Sequence, residues 1–170
     1  YFDIIRKKTA SLFETCARVG ALLSGASEAE VERMAAFGDA VGICFQLRDD
    51  IFDYDMAQDV GKPVGHDIRE GKLTLPLLHC LQAPAAETER HMALRARQGE
   101  ATDEEIRHLL QFTLAGGGID YARQQMHACC DRATQLLETV PGAGSSAQQL
   151  LSAIVPSLCL YARFVADRDA

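Results

Sequence analysis

Four aspartates fall within eleven residues at 45–55, FQLRDDIFDYD: Asp49, Asp50, Asp53 and Asp55. On a helix Asp49 and Asp53 share a face at i, i+4, and Asp50 and Asp53 converge at i, i+3. Like charges so placed repel one another. Phe45, Leu47, Ile51 and Phe52 surround them, so the site reads as half-buried and the repulsion as costly. A divalent cation resolves the conflict. Mg²⁺ is hard, prefers oxygen, keeps several waters, and is usually held by one or two carboxylates plus substrate phosphates. A solvated acidic helix end is the plainer alternative. The next segment argues against it. Lys62 and Lys72 are two of only four lysines, the others being Lys7 and Lys8. A lysine is a flexible point charge suited to phosphate. Carboxylates for a metal, with lysines close behind them, describe a site for a magnesium-bridged diphosphate.

The elements that must position these groups are helical. Ile5, Leu12, Cys16, Val19 and Leu23 recur at helical intervals and predict a helix over about 2–24. SGAS breaks it. Ser27 and Glu30 have capping-box spacing. A second helix, with Val31, Met34, Gly38, Val41 and Phe45 on one side, runs to about Tyr54. Residues 56–72 hold four glycine or proline breakers and read as a long ordered loop, a kind that is usually functional. TLPLLHCL then opens a helix, with Thr74 as its cap and Pro76 tolerated in the first turn. Further helices fit 86–98, 102–115, 118–139 and 146–166. Thr102 with Glu105, and Ser145 with Gln148, repeat the capping-box spacing. AGGGID at 115–120 reads as a helix–helix turn. No strand or internal repeat is evident. The pattern predicts one all-α domain over 1–170, an antiparallel helical bundle.

Composition narrows the function. A 170-residue chain with 48% hydrophobic residues can build a real core. The formal net charge of −7 argues against nucleic acid as a partner. No apolar run approaches the ~18 residues of a membrane span. The six cysteines, Cys16, Cys44, Cys80, Cys129, Cys130 and Cys159, form no CxxC pair and lie within helical patterns. Buried free thiols are expected, with no zinc site and no disulfide framework, in a reducing cytoplasm.

GDAVGICFQLRDDIFDY followed by GKPVGHDIREGKLTLPLL resembles the second aspartate-rich region of the trans-isoprenyl (polyprenyl) diphosphate synthases. The shared pattern is FQxxDDxxD, then GKxxGxDxxxGKxTLP. KKTASLF is similar to the family's KTA segment, and LYARFVADR more loosely to its closing helix. The resemblance implies an all-α isoprenoid synthase bundle around a deep cavity. It implies head-to-tail condensation of an allylic diphosphate with isopentenyl diphosphate, through an allylic carbocation made with a magnesium cluster. By position, Asp49, Asp50, Asp53 and, less directly, Asp67 are implied to serve Mg²⁺ directly or through water. Lys62 and Lys72 would contact diphosphate. Lys8, Thr9 and Gln46 would line the cation site and hold the diphosphate. A homodimer is implied too; Arg48 is expected to be a surface or ion-pair residue, and His66 a bystander.

The sequence departs from the family in one large respect. Asp49–Asp50 is its only adjacent aspartate pair, so the first aspartate-rich motif is absent. TDEEI at 102–106 reads as a capping box and is no substitute. The expectation is therefore the C-terminal half of a synthase. A non-catalytic prenyltransferase-like subunit that borrows the first motif from a catalytic partner is the competing reading.

Overall fold

A computed structural model of the chain describes residues 1–54, 65–138, 157 and 159–166. Every regular element among them is helical. In chain order these are α1 (Phe2–Ile5), a π-helical turn (Arg6–Ala10), α2 (Ser11–Leu23), α3 (Glu28–Phe52), α4 (His66–Arg69), α5 (Leu75–Cys80), α6 (Glu87–Gln98), α7 (Asp103–Ala115) and α8 (Gly118–Glu138). Residues 159–166 are helical as well, within the expected closing helix. The Ser145/Gln148 cap and most of the helix expected at 146–166 lie outside the described residues. The chain divides into two compact units, Tyr1–Gln46 with Gln125–Asp169, and Leu47–Gln124. Helix α3 contributes to both.

In the first unit, α3 is the buried element. Val31, Met34, Ala35, Phe37, Ala40, Val41, Ile43 and Cys44 are all buried, so the helix is apolar nearly all round, as a core helix must be. Its start is held by Glu30, whose carboxylate accepts from the Ser27 amide at 2.7 Å and from the Ser27 hydroxyl at 2.7 Å. This is the reach-back arm of the capping box.

The packing of α2 differs from the expectation. Of the periodic residues, Ile5 is buried, but Leu12, Val19 and Leu23 are 67%, 45% and 84% exposed and Cys16 is exposed. The buried positions here are the small Ala10 and Ala21. The reason is how closely the helices approach. A Cβ on Gly38 would lie 2.5 Å from the Phe13 carbonyl oxygen, and one on Gly42 would lie 2.5 Å from the Ala10 Cα. Contact at that range leaves room only for small residues, so size rather than hydrophobicity selects the packed face. Phe13 and Phe45 flank the contact, with ring centroids 5.5 Å apart.

The second unit has its own core of Tyr54, Ile68, Leu77, Ala93, Ala96, Ile106, Leu109 and Leu110. α7 begins with the full reciprocal capping box, Glu105 N–H to Thr102 Oγ1 at 3.2 Å and Thr102 N–H to Glu105 Oε2 at 2.7 Å. Thr74 does sit at the N-cap of α5, with Pro at the start of that helix. Its hydroxyl, however, makes no capping bond and pairs instead with the Tyr54 hydroxyl at 3.3 Å. The break at 115–120 is the expected turn between helices, α7 ending at Ala115 and α8 starting at Gly118.

The cysteines are all free. Cys44, Cys80 and Cys130 are buried, Cys129 and Cys159 are half-buried, and Cys16 is exposed, against the expectation of burial. No helix among the described residues is long and apolar enough to cross a membrane.

The Gly38–Gly42 contact predicts that Gly42→Ala destabilises the protein by about 1–3 kcal/mol, the range for overpacking a well-filled core. At an ordinary exposed helix position, the same change would stabilise by up to about 1 kcal/mol. A denaturant melt of the intact protein gives the sign, and a stabilised Gly42→Ala protein would refute the close approach.

Candidate functional site

The aspartates gather where α3 ends. Asp49 is exposed and Asp50 is 3% exposed. Arg48, expected to be a surface or ion-pair residue, lies over the Phe52 ring, its guanidinium carbon 4.4 Å from the centroid. α3 stops at Phe52, and Asp53 and Tyr54 form the turn beyond it.

Asp53 has a role that the motif pattern does not reveal. Its Oδ1 accepts from the His66 amide at 2.9 Å, and its Oδ2 from the Asp67 amide at 3.0 Å. Its own carbonyl accepts from the Gly65 amide at 2.9 Å. The first amides of α4 need an acceptor, and the residue at the N-cap is Gly65, which has no side chain to offer. Gly65 stands there because its φ of 79° is left-handed, and because a Cβ would meet Leu110 Cδ1 at 2.9 Å. Asp53 therefore caps α4 from thirteen residues away. Burial pushes the Asp53 carboxyl above the usual aspartate range, while the two amides pull it down.

The single turn α4 was not foreseen within the expected loop over 56–72. It is anchored by Ile68, which is fully buried in the second core. Burying an isoleucine stabilises by about 1.5–3 kcal/mol. Beyond the turn, the Lys72 amide donates to the Asp67 carbonyl at 2.8 Å. Asp67 and Lys72 are thereby tied to one small structure, with the Lys72 ammonium 3.6 Å from Asp67 Oδ1. Lys72 also pairs with Glu70, and that bond, more than the neighbouring Asp67, raises the lysine's pKa above its ordinary value. His66 pairs with Glu70 through Nε2 at 3.1 Å. Lys62 and Asp55 lie outside the described residues.

Lys8, Thr9 and Gln46 belong to the first unit. Lys8 and Thr9 sit in the π-helical turn Arg6–Ala10. π-Helical turns are rare and often mark functional positions, a signal that helical periodicity does not carry. The Thr9 hydroxyl donates to Gln46 Oε1 at 2.7 Å. The spacing on α3 explains the pairing. Gly38, Gly42 and Gln46 follow at i, i+4 and i+8 on one face, and the close contact of Gly42 with Ala10 brings the neighbouring Thr9 within reach of Gln46. The nearby Arg6 pairs with Asp39 at 3.0 Å.

Among the described residues, no three histidine, cysteine, aspartate or glutamate side chains stand together as a ready metal cluster. Both oxygens of Asp53 are engaged by the α4 amides. The donors available are hard carboxylate oxygens, which suit Mg²⁺ or Ca²⁺. Their number suits a metal that completes its shell with water and substrate oxygens.

With every regular element among the described residues helical, aspartates closing α3 and the Lys72 segment capped onto them, the chain has the fold of the all-α isoprenoid synthases. It is 38% identical to geranylgeranyl pyrophosphate synthase from Bacteroides thetaiotaomicron, whose crystal structure it matches with a TM-score of 0.85 over 99% of this chain and 52% of that one. Polyprenyl synthase from Caulobacter crescentus CB15, solved with calcium and isoprenyl diphosphate, is 30% identical, with a TM-score of 0.80 over 100% of this chain and 49% of that one. The octaprenyl diphosphate synthase of Escherichia coli (strain K12) is 35% identical over 146 residues, 83% of this chain and 44% of that protein. The model of the polyprenyl synthetase family matches residues 1–113, and the chain belongs to that family. It spans about half the length of the curated relatives it matches.

Because Asp53 caps α4, Asp53→Ala should cost about 2 kcal/mol, the range for losing bonds to a charged acceptor, and should speed amide exchange at His66 and Asp67. Asp49→Ala, at an exposed position, should change stability by no more than about 0.5 kcal/mol. Equal stability losses for the two variants, with protection at 66–67 unchanged, would contradict the capping role.

Proposed function

We propose that the protein is a trans-polyprenyl diphosphate synthase, which condenses an allylic diphosphate with isopentenyl diphosphate to give a longer polyprenyl diphosphate. The observation that carries this reading is the tie between the aspartate end of α3 and the segment bearing Asp67 and Lys72, made through Asp53. Such a tie has a purpose if metal ligands and a phosphate-binding lysine must act on one substrate group.

In this reading Asp49, Asp50 and Asp53 would hold Mg²⁺ directly or through water, and Asp67 would orient metal-bound water. The bound metal supplies positive charge where the diphosphate leaves. Lys62, Lys72 and Lys8 bind the diphosphate oxygens and keep the allylic carbon in reacting geometry. The allylic C–O bond breaks with its electron pair leaving on the diphosphate. The isopentenyl double bond attacks the cation, and a proton is then lost. Thr9 and Gln46 line the cation site in this reading, and the hydrogen bond from the Thr9 hydroxyl to Gln46 Oε1 fixes the orientation of both side chains. Fixed dipoles of this kind stabilise charge as it develops, without reorganisation at the moment of reaction.

The whole chain is read as part of a single catalytic domain. A homodimer is proposed as well, supported by the exposed Leu12, Val19, Leu22 and Leu23 on α2. The free cysteines suit a cytoplasmic location.

Steady-state kinetics of the intact protein at varied magnesium test the reading. Asp49→Ala should lower turnover at least about 100-fold, the scale of losing one electrostatic contact to a transition state. Lys72→Ala should mainly raise KM for the allylic diphosphate. Near-wild-type turnover of Asp49→Ala at every magnesium level would refute the proposal. The 170 residues by themselves, which carry one adjacent aspartate pair, should not convert labelled isopentenyl diphosphate above background. Turnover at an enzymatic rate would show that one aspartate-rich motif suffices.

A further inference from the structure

Glu70 occupies a variable position of the GKxxGxDxxxGKxTLP pattern, and the proposed reaction gives it no task. Its carboxylate joins two groups. Oε2 pairs with the Lys72 ammonium, and Oε1 lies 3.1 Å from His66 Nε2, one helical turn away. Lys72 has a second acidic neighbour in Asp67, at 3.6 Å. The side chains of Glu70 and Lys72 are 44% and 50% exposed, so an incoming ligand can reach both.

We propose that Glu70 is an affinity-setting counter-ion, which occupies Lys72 when no diphosphate is present and must give it up when a diphosphate binds. This rests on the reading of Lys72 as a diphosphate ligand. Binding at Lys72 is then an exchange of partners. An ammonium offers three donors, and a diphosphate oxygen bound to it must displace a carboxylate partner or share the cation with it. Displacing Glu70 breaks an ion pair, and leaving it in place sets a negative charge beside a more negative ligand. Either way the resident carboxylate weakens diphosphate binding. Asp67 cannot be the group that yields so readily. Its amide is bonded to Asp53 and its carbonyl accepts from the Lys72 amide, so its position is fixed by the α4 turn. Glu70 lies just past that turn and reaches Lys72 by its side chain. The same weakening acts on the inorganic diphosphate released by the reaction, so Glu70 limits product retention as well as substrate affinity.

The test uses the intact protein with Mg²⁺, and inorganic pyrophosphate as the probe. Glu70→Gln keeps the size of the side chain and removes its charge. It should lower the pyrophosphate inhibition constant and the KM for the allylic diphosphate together by roughly two- to five-fold, the scale of an exposed ion pair. It should not raise kcat. Glu70→Asp, which keeps the charge, should restore the wild-type constants at least in part. In a Lys72→Ala background Glu70→Gln should have no effect on either constant. Pyrophosphate inhibition unchanged in Glu70→Gln, while Lys72→Ala weakens it, would overturn the role of Glu70 and leave that of Lys72 standing. If Lys72→Ala itself leaves pyrophosphate binding unchanged, the diphosphate role of Lys72 fails, and this inference fails with it. A loss of stability in Glu70→Gln without the tighter constants would mark Glu70 as structural only.

Discussion

One carboxylate joins the two chemical halves of the second unit. Asp53 commits both oxygens to the first amides of α4. The sequence puts the aspartates at the end of a long helix and Lys72 nearly twenty residues later. Chain connectivity alone does not bring such groups together. A helix that begins at a glycine does, because its amides need an acceptor and the nearest strong one is Asp53. Charge-assisted bonds of this kind are among the stronger ones available to a backbone amide. Ile68 then fixes the turn in the core, and the Asp67 carbonyl accepts the Lys72 amide. An interaction that looks like local capping thus sets where Asp67 and Lys72 stand relative to the aspartate end of α3.

The same bonds explain why a cluster of negative charge is tolerated on a helix with a buried flank. Asp49 is exposed to water, and the two amides offset part of what burial costs the Asp53 carboxylate. The acidic neighbours Asp67 and Glu70 in turn draw Lys72 toward this end of the unit. Lys72 is held by solvent-exposed ion pairs rather than by buried ones. An exposed pair can be exchanged at low cost, which suits a site whose ligand carries several charges.

In the first unit the organising constraint is steric. Two glycines on α3 admit the backbone of the preceding helical segment to distances at which a Cβ has no room. The π-helical turn lies against Gly42 through Ala10, and α2 lies against Gly38 through Phe13. Thr9 and Gln46 meet as a consequence. An apolar stripe that periodicity marks out on α2 remains largely exposed, because the contact made by small residues takes the packed face.

The sequence by itself determined the helical class, most helix positions, two of the caps and the residue types of the site. These arise from short-range rules: apolar period, the bonding of a side chain to an amide three residues away, and the repulsion of carboxylates one turn apart. Tertiary structure decided the rest. That Asp53 serves α4, that Thr74 serves Tyr54 rather than its own helix, and that Ala10 instead of Leu12 is packed all depend on groups distant in sequence. No local pattern encodes which amide is left without an acceptor or which helix approaches closest. Those are settled only when the whole chain has folded and every buried polar group must find its partner.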